Sequence, residues 1–484
     1  MAPSSRLFDI TVIGAGSGGL AAALTGAALG LRVALVERER LGGECLWTGC
    51  VPSKALLHAA SLAQAAREVA RWNDNDASAP PLDFKAVIQH VHAARTTIEA
   101  SENQEALEQQ GITVVHGVAR IVAPGIVAVG DRQLQSRHIV IATGSRPAVP
   151  SLPGLEEAGY FTNETVFDQL EELPARLAII GGGPVGIEFA QAFGRLGSHV
   201  TVLCPHPLLM PREEQVVSQA AHTFLEREGV VPCKGVTVQE VVPGAAHGAH
   251  RVIYRTADGE RSEIVADRII VAIGRCPNVE GFGLTEIGIQ VEESGVRVDS
   301  YLRTTVPGIW ACGDAVGGYL FTHVAEAEAR LIVRNIMFPW VMERMDYSVV
   351  PWTTFTEPEI GRVGLTEQEA RERYGSKVMV ERFPLSRTDR AVTDGATDGF
   401  IKLVMRGKRI LGAYIIGPRA GELIQQVALM MRHKLPVSAL AMIHTYPTYS
   451  YALHQANDAR MISGLARSRP RRWFHSALRL LSRR

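Results

Sequence analysis

The chain begins with an apolar run that leads into a cluster of glycines. Residues 8–13 are mostly apolar and have the length of a buried parallel strand. An alanine-rich helical pattern follows over residues 20–29, and a second apolar run over 32–36 ends at Glu37. This alternation of strand, helix and strand predicts a βαβ unit and an α/β fold.

The same pattern returns about 167 residues later. An apolar run over 177–182 leads into a second glycine cluster, a helix is predicted up to Leu196, and a strand over 200–203. Between the two units, the pattern predicts a loop over 73–81 and one long helix over 83–110. Short strands are predicted at 112–115, 118–122, 126–129 and 137–142.

From about Tyr347 the pattern changes to short strands followed by helices. Helices are predicted at 421–433 and again after Pro447. The fold class is therefore α/β, with two Rossmann-like nucleotide-binding domains and a C-terminal α+β domain. The strands of that last domain are predicted at 351–355, 360–364, 377–382, 400–406 and 410–416.

Both glycine clusters have the G-x-G-x-x-G spacing of dinucleotide-binding turns. In the first, Glu37 follows the first glycine by 23 residues, where a carboxylate accepts a hydrogen bond from a ribose hydroxyl. Such glycines let a pyrophosphate approach the N-terminus of the next helix. Two such motifs predict two nucleotide sites, formed by Gly14, Gly16 and Gly19 and by Gly181, Gly183 and Gly186.

The second motif differs from the first at the end of its second strand. Cys204 stands where an acid would bind the NAD ribose, and His206 and Arg212 follow it. The missing acid and these two basic residues favour NADPH over NADH.

Cys45 and Cys50 stand five residues apart between the first motif and a predicted helix. In a regular helix such positions lie roughly 8–9 Å apart at Cα, whereas a disulfide requires less than about 7 Å. The segment must therefore be distorted, and Gly49 supplies the backbone freedom. Pro52 suits a first helical turn, so Cys50 lies near a helix N-terminus, which lowers a thiol pKa. This pattern indicates a redox pair.

Composition describes an ordinary soluble protein of 484 residues, with 46% hydrophobic and 21% charged residues. Six cysteines do not form the framework of a secreted scaffold, and we expect a cytoplasmic location without a signal peptide. No segment approaches 18 uninterrupted apolar residues. The acidic body argues against nucleic-acid binding, because 43 basic residues oppose 50 acidic ones outside residues 467–484.

Residues 42–54 resemble the redox signature of the FAD-dependent pyridine nucleotide–disulfide oxidoreductases, which include dihydrolipoamide dehydrogenase, glutathione reductase and mercuric reductase. The chain departs from that signature at Glu44, usually Thr, and at 47–48, usually Asn-Val. The resemblance implies a homodimer that binds FAD at the first glycine motif and NADPH or NADH at the second. It also implies that Cys50 faces the flavin and Cys45 meets the acceptor.

The resemblance extends over about residues 8–462 and implies further roles. Lys54 and Glu188 are expected to pair near the flavin, and Asp314 to bind its ribityl chain. Gly144 and Gly274 lie where the chain leaves and re-enters the FAD domain. The implied domains are FAD-binding (1–150 and 275–346), NAD(P)-binding (151–274), interface (347–462) and a basic tail (463–484).

One motif of disulfide-reducing members is missing. Their interface domain carries a His and a Glu as an acid–base pair, and this chain has Tyr446 and Tyr451 at those positions. A phenol with a pKa near 10 is a poor proton shuttle at neutral pH. His444 lies two residues before Tyr446 and is an alternative acid–base group.

Mercuric reductases also lack the pair, but they deliver metal through C-terminal cysteines, and this chain has no cysteine after Cys312. No resident metal site is predicted. The acceptor stays open between a soft metal ion such as mercuric or cupric ion, a small disulfide and a quinone. The alternatives are a dihydrolipoyl dehydrogenase and a flavin-bound docking protein that is not an enzyme.

The C-terminal residues 467–484 contain seven arginines and no acid. Apolar residues recur there at helical spacing, which is typical of a helix lying in a membrane interface. These apolar residues are Trp473, Phe474, Ala477, Leu478 and Leu481. A frayed, solubilising terminus is the alternative.

We expect the tail to tether the protein weakly to anionic membranes, because each basic residue contributes about 1 kcal/mol near such a surface. The full chain should sediment with anionic vesicles but not with neutral ones, and salt should release it. Truncation after Leu465 should abolish the effect. Full-length protein that ignores anionic vesicles at low ionic strength would rule out the tether.

Overall fold

A computed structural model describes residues 7–70, 72, 82–244 and 248–467, with side chains to residue 462. The predicted loop at 73–81 and residues 468–484 of the tail lie outside the described residues. The chain forms two compact units. The first comprises Met1–Pro211 and Leu225–Asp346, and the second comprises Arg212–Phe224 and Tyr347–Arg484. The finer division into FAD, NAD(P) and interface domains stays a prediction.

The first unit is built on a mostly parallel sheet that contains the first predicted βαβ unit. Phe8–Ile13 lies at its centre, where Val12 pairs with Leu35 on one side and Val140 on the other. Both faces of these strands are covered, which is why they are apolar without alternation. The sheet order is Ile112–His116, Val33–Glu37, Phe8–Ile13, Arg132–Ile141, Ile126–Val129, Ala119–Ala123, with Ile309–Ala311 pairing beside Arg132–Ile141.

Helices cover this sheet and carry the two redox cysteines. Helix Ser17–Ala28 packs through its alanine face into the same apolar core as helix Thr322–Met337. The helix after the cysteine motif begins at Cys50 and runs to Ala70, two residues earlier than Pro52 suggested. We call Cys50–Ala70 the redox helix.

The predicted single helix over 83–110 is wrong, because the structure has two helices, Phe84–Glu102 and Gln104–Gln109. Asn103 between them has an extended backbone (φ −73°, ψ 169°), and its side chain accepts from the Ala106 N–H. Asparagine is a strong N-cap residue, so the local cap outweighs the continuous pattern of the flanking residues.

The second βαβ unit is also present in the first compact unit. Its helix, Pro184–Leu196, lies between parallel strands Arg176–Ile180 and His199–Cys204. The second βαβ unit lies in the sequence between strands Ser145–Pro147 and Arg275–Pro277, and these two strands pair with each other. Parallel strands Val231–Lys234 and Arg268–Val271 complete this sheet, and an antiparallel sheet comprises Thr237–Val242, His250–Arg255 and Arg261–Ala266.

The second unit contains a five-stranded antiparallel sheet, as the change of pattern predicted. Helix Ala420–Arg432 and helix Tyr451–Arg467 share its apolar core. The strand order is Pro351–Thr354, Glu359–Gly364, Arg409–Gly417, Phe400–Arg406, Val378–Pro384, and helices Glu367–Tyr374 and Asp389–Thr393 lie between strands in the sequence.

Buried charges hold the segment Arg212–Phe224 within this second unit. Glu213 accepts from Arg362 at 2.9 Å, and Lys402 pairs with Glu214. All four side chains are at most 12% exposed. Because removing one partner of a buried pair leaves an uncompensated charge, these pairs fix the position of the segment.

Several short helices, strands and 3₁₀ turns connect the larger elements. None of the helices within the described ranges combines the length and apolar character that a membrane crossing requires. The remaining helices and strands are Gly43–Trp47, Leu155–Ala158, Val166–Gln169, Gln215–Arg227, Val291–Glu292 and Gly295–Val296, with 3₁₀ turns at Thr285–Ile287, Gly313–Val316, Gly375–Lys377, Leu385–Arg387 and Val437–Ala441.

Candidate active site

A break between two helices brings the cysteines together. Cys45 lies on the short helix Gly43–Trp47, and Cys50 is the first residue of the redox helix. At the break, the N–H groups of Thr48 and Gly49 both donate to the Glu44 carbonyl. The spacing required a distorted segment, and the structure shows that the helix is completely interrupted between the two cysteines. Cys50 therefore stands at a helix N-terminus.

The redox motif also lies directly against the first glycine motif. Gly43 has a φ of +59°, and a Cβ there would lie 2.5 Å from the Gly16 Cα. Only glycine allows both this conformation and this approach. The two motifs are thus parts of one site.

The two thiols share contacts with each other and with Thr322. The Thr322 hydroxyl donates to Cys45 Sγ at 3.3 Å and lies 3.6 Å from Cys50 Sγ. The hydrogen bond from Cys45 lowers the pKa of Cys50 to about 6, although burial opposes the shift. The same hydrogen bond, together with burial, raises the pKa of Cys45. The pair is therefore polarised, with its thiolate on Cys50.

Lys54 and Glu188 form an ion pair beside the cysteines. Lys54 Nζ lies 2.7 Å from Glu188 Oε2, and the two side chains are 36% and 10% exposed. The pair joins the redox helix to helix Pro184–Leu196 of the second glycine motif. The positive charge of Lys54 also contributes to the lowered pKa of Cys50. The role of the pair at the flavin stays a prediction.

Glu44 makes an ion pair that the sequence reasoning missed. Arg275 contacts both of its carboxylate oxygens, at 2.6 and 2.5 Å, and Asn163 donates to it at 3.0 Å. Burial raises the pKa of Glu44 to about 7, against the opposing effect of Arg275. The replacement of Thr by Glu in the motif was the available signal.

Arg275 extends this network to Asp314. Its Nε donates to Ser145 Oγ at 2.7 Å and lies 3.5 Å from Asp314 Oδ2. Ser145 in turn donates to Asp314. Asp314 is therefore fixed in orientation at the start of a 3₁₀ turn, and its expected contact with a ribityl chain stays a prediction.

The first glycine motif has the shape of a dinucleotide cradle. A Cβ on Gly19 would lie 1.8 Å from the Gly14 carbonyl oxygen. The helix that follows Gly16 has no side-chain cap, so its first N–H groups are available to a phosphate. Glu37 accepts from the Ala15 N–H at 2.7 Å and from two further backbone N–H groups. These residues fit FAD.

The second glycine motif has the same form. A Cβ on Gly186 would lie 2.1 Å from the Gly181 oxygen, whereas one on Gly183 would meet nothing within 4 Å. This helix also lacks a side-chain cap. The open N-terminus fits the pyrophosphate of a nicotinamide nucleotide.

The two residues proposed for the 2′-phosphate are placed differently. His206 Nδ1 accepts from the Leu208 N–H at 3.2 Å, next to the buried Cys204. Arg212 belongs to the second compact unit, whereas His206 belongs to the first. Preference for NADPH stays a prediction.

Gly144 directly precedes strand Ser145–Pro147, and Gly274 directly precedes its partner strand Arg275–Pro277. Both have positive φ, +67° and +141°. Their carbonyl oxygens accept from the N–H groups of Asn278 and Ala148, each at 2.9 Å. They lie at the start of this strand pair, and their contact with a cofactor stays a prediction.

Tyr446 and Tyr451, in the second unit, contact each other edge to face at 5.8 Å. The Tyr446 hydroxyl donates to Asp389 at 2.6 Å, and this hydrogen bond raises the phenol pKa. His444 Nδ1 bonds to the Met442 carbonyl at 3.0 Å, while its Nε2 is buried. Neither the two tyrosines nor His444 is therefore a ready acid–base group. His454 lies beside them, with its ring stacked on Tyr451 at 5.3 Å and its Nε2 3.1 Å from Asp458 Oδ2.

Three comparisons place these features among known proteins. The profile of the pyridine nucleotide-disulphide oxidoreductases matches residues 8–329, and that of their dimerisation domain matches 350–457. The dihydrolipoyl dehydrogenase of Thermus scotoductus is 34% identical, covering 94% of this chain and 97% of its own length. The mercuric reductase of Streptomyces lividans is also 34% identical, covering 93% and 95%.

A similar solved structure is the Cu(II) complex of RclA from Escherichia coli, a HOCl-induced flavoprotein disulfide reductase. It superposes with a TM-score of 0.83 at 30% identity, covering 93% of this chain and 99% of its own. The chain therefore belongs to the pyridine nucleotide–disulfide oxidoreductases, enzymes that use FAD and NAD(P)H.

Proposed function

We propose that this enzyme passes electrons from NAD(P)H through FAD and the Cys45–Cys50 pair to a soft metal ion, with Cu(II) as the first acceptor to test. The observation that carries the proposal is the hydrogen bond from Tyr446 to Asp389, because it stabilises the neutral phenol where an acid–base group is needed. The polarised cysteine pair supplies the electrons and soft sulfur ligands.

Organic disulfides and metal ions differ as acceptors in whether their reduction requires a proton donor. Reduction of an organic disulfide produces a leaving thiolate, which an acid must protonate, and a positioned acid contributes about 10²–10⁴-fold to such a step. Metal reduction has no such leaving group. The reduced pair, a Cys45 thiol and a Cys50 thiolate, gives up two electrons and one proton to form the Cys45–Cys50 disulfide, two Cu(II) ions become two Cu(I) ions, and the proton goes to water.

Within this scheme, the chain's own residues position and polarise the thiols. Cys50, with its lowered pKa, is the electron-rich thiolate, and Cys45 is the sulfur offered to the acceptor. Thr322 orients both sulfurs, and the Lys54–Glu188 pair holds the redox helix against the second glycine motif. When bound, FAD supplies the conversion of a hydride from NAD(P)H into an electron pair for the disulfide.

The names of similar proteins agree with this proposal in part. RclA was solved with Cu(II), and two similar proteins are mercuric reductases. Several others are dihydrolipoyl dehydrogenases at 32–35% identity, which makes that activity the second candidate. Small disulfides and quinones stay open as acceptors. For the electron donor, the missing acid at Cys204 supports NADPH.

We also propose a homodimer formed through the second unit. The match to the dimerisation domain supports it, as does a group of apolar side chains that the single chain leaves in solvent. Ile443 is 98% exposed, and the group includes Met442, Tyr446, Leu429 and Ile462.

A panel of acceptors tests the assignment. NADPH oxidation by the FAD-loaded enzyme should be supported by Cu(II), with Cu(I) captured by a chelator. Lipoamide turnover should be about 10²–10⁴-fold below that of a dihydrolipoyl dehydrogenase, because the acid–base pair is absent. Cys45→Ser and Cys50→Ser should abolish Cu(II) reduction. Cys233→Ser, which changes a half-buried cysteine on strand Val231–Lys234, should not. Lipoamide turnover at the rate of the dehydrogenase would instead establish the second candidate.

The polarity of the pair is testable by spectroscopy. Anaerobic two-electron reduction should produce a long-wavelength thiolate-to-flavin band, since Cys50 is the residue expected to face the flavin. The thiolate persists above its pKa, so the band should be full at pH 8 and be lost with a midpoint near the pKa of about 6. Cys50→Ser should remove the band, and Cys45→Ser should show it without reductant. A midpoint at or above about 8.5, the value for an ordinary thiol, would contradict the assignment.

A further inference from the structure

Two histidines face each other beside the redox helix. His58 lies on that helix and His90 on helix Phe84–Glu102, with ring centroids 5.9 Å apart and ring planes at 43°. Both side chains are exposed, and both line a surface groove of about 630 Å³ between the two helices. The rest of the lining is largely small and apolar, with Arg67 and Asp83 as its charged members.

The imidazole rings of His58 and His90 have no polar partner among the described residues. Neither ring forms a hydrogen bond or an ion pair with any other described residue. The neighbouring His92, in contrast, bonds to the Phe167 carbonyl at 3.0 Å, and His116 bonds to Gln104 at 3.0 Å. The ring nitrogens of His58 and His90 are therefore available to an external ligand.

The separation of the rings suits one shared metal ion. A metal–nitrogen bond of about 2.0 Å plus a ring radius of about 1.1 Å places each centroid about 3.1 Å from the ion. The centroids would then be about 5.1 Å apart at a tetrahedral angle and about 6.2 Å apart when the ligands are opposite. The observed 5.9 Å lies between these limits, so the separation of the two rings is compatible with one shared ion.

We propose that His58 and His90 bind a divalent transition-metal ion, with Cu(II) preferred. Imidazole suits copper, nickel and zinc, and the stability order favours Cu(II). No group of three or more His, Cys, Asp or Glu in the described chain is arranged to hold a metal, so the pair would leave several positions open. Two protein ligands with open positions suit an ion in transit rather than a structural one.

The position of the pair relates it to the redox centre. His58 follows Cys50 by eight residues on one helix, which corresponds to about 12 Å along its axis. A metal ion held there lies on the helix that carries Cys50, at about that distance along the axis from the thiols that reduce it. This part of the inference rests on the proposed function, whereas binding by the pair does not.

Binding is measured on the FAD-loaded enzyme with its Cys45–Cys50 disulfide intact, by titration with Cu(II) and electron paramagnetic resonance. The parent should bind one ion with nitrogen couplings from two imidazoles. His58→Ala and His90→Ala should each weaken binding by about 10²-fold, because the chelate is lost, and His58→Gln should behave the same. His433→Ala, which removes an exposed histidine from the second unit, is the matched control and should change nothing.

The same variants connect the site to turnover. His58→Ala and His90→Ala should raise the KM for Cu(II) about tenfold or more and leave kcat near the parent value, since the thiols are untouched. Copper binding that is equal in the parent and both alanine variants would overturn the site. Histidine-dependent binding in an enzyme that does not reduce Cu(II) would retain the site and contradict the proposed function instead.

Discussion

The close approach of the redox motif to the first glycine motif is the constraint on which the site depends. A Cβ at Gly43 would lie 2.5 Å from the Gly16 Cα, so neither a larger residue nor an ordinary backbone conformation fits there. This contact fixes the short helix that carries Cys45, and the interruption at Gly49 then starts the redox helix at Cys50. The glycine contact thus places the thiols beside the nucleotide cradle, and the helix break places Cys50 at a helix N-terminus.

Ion pairs around the two cysteines set the charge distribution of the redox site. Lys54 lowers the pKa of Cys50, and Glu188 restrains Lys54. On the other side, Arg275 lies between Glu44 and Asp314, so one cation is shared by two carboxyl groups. The half-buried Glu44 stands where the resembling motif usually has Thr, and it adds to this site a carboxyl group that is paired with Arg275.

The fold class could be predicted from the sequence because glycine spacing and strand–helix alternation are local signals. The Lys54–Glu188 pair was anticipated from resemblance, and its 2.7 Å contact is present. The Glu44–Arg275 pair was not, since its members are 231 residues apart and no periodicity links them. No local pattern links His58 to His90 or Glu213 to Arg362 either. These contacts form only when helices and strands that are distant in the sequence pack together. The helix break at Asn103 was missed because a single capping side chain decided it.

The central claim is that the loss of one acid–base pair selects the acceptor, and restoring the pair tests it most directly. The double variant Tyr446→His, Tyr451→Glu, compared with the matched Tyr446→Phe, should gain lipoamide turnover by about 10²-fold or more, the contribution of a positioned acid–base group. Its rate of Cu(II) reduction should stay near that of the parent. Unchanged lipoamide turnover in a folded, FAD-loaded double variant would contradict the account, as would a parent that already reduces lipoamide faster than Cu(II).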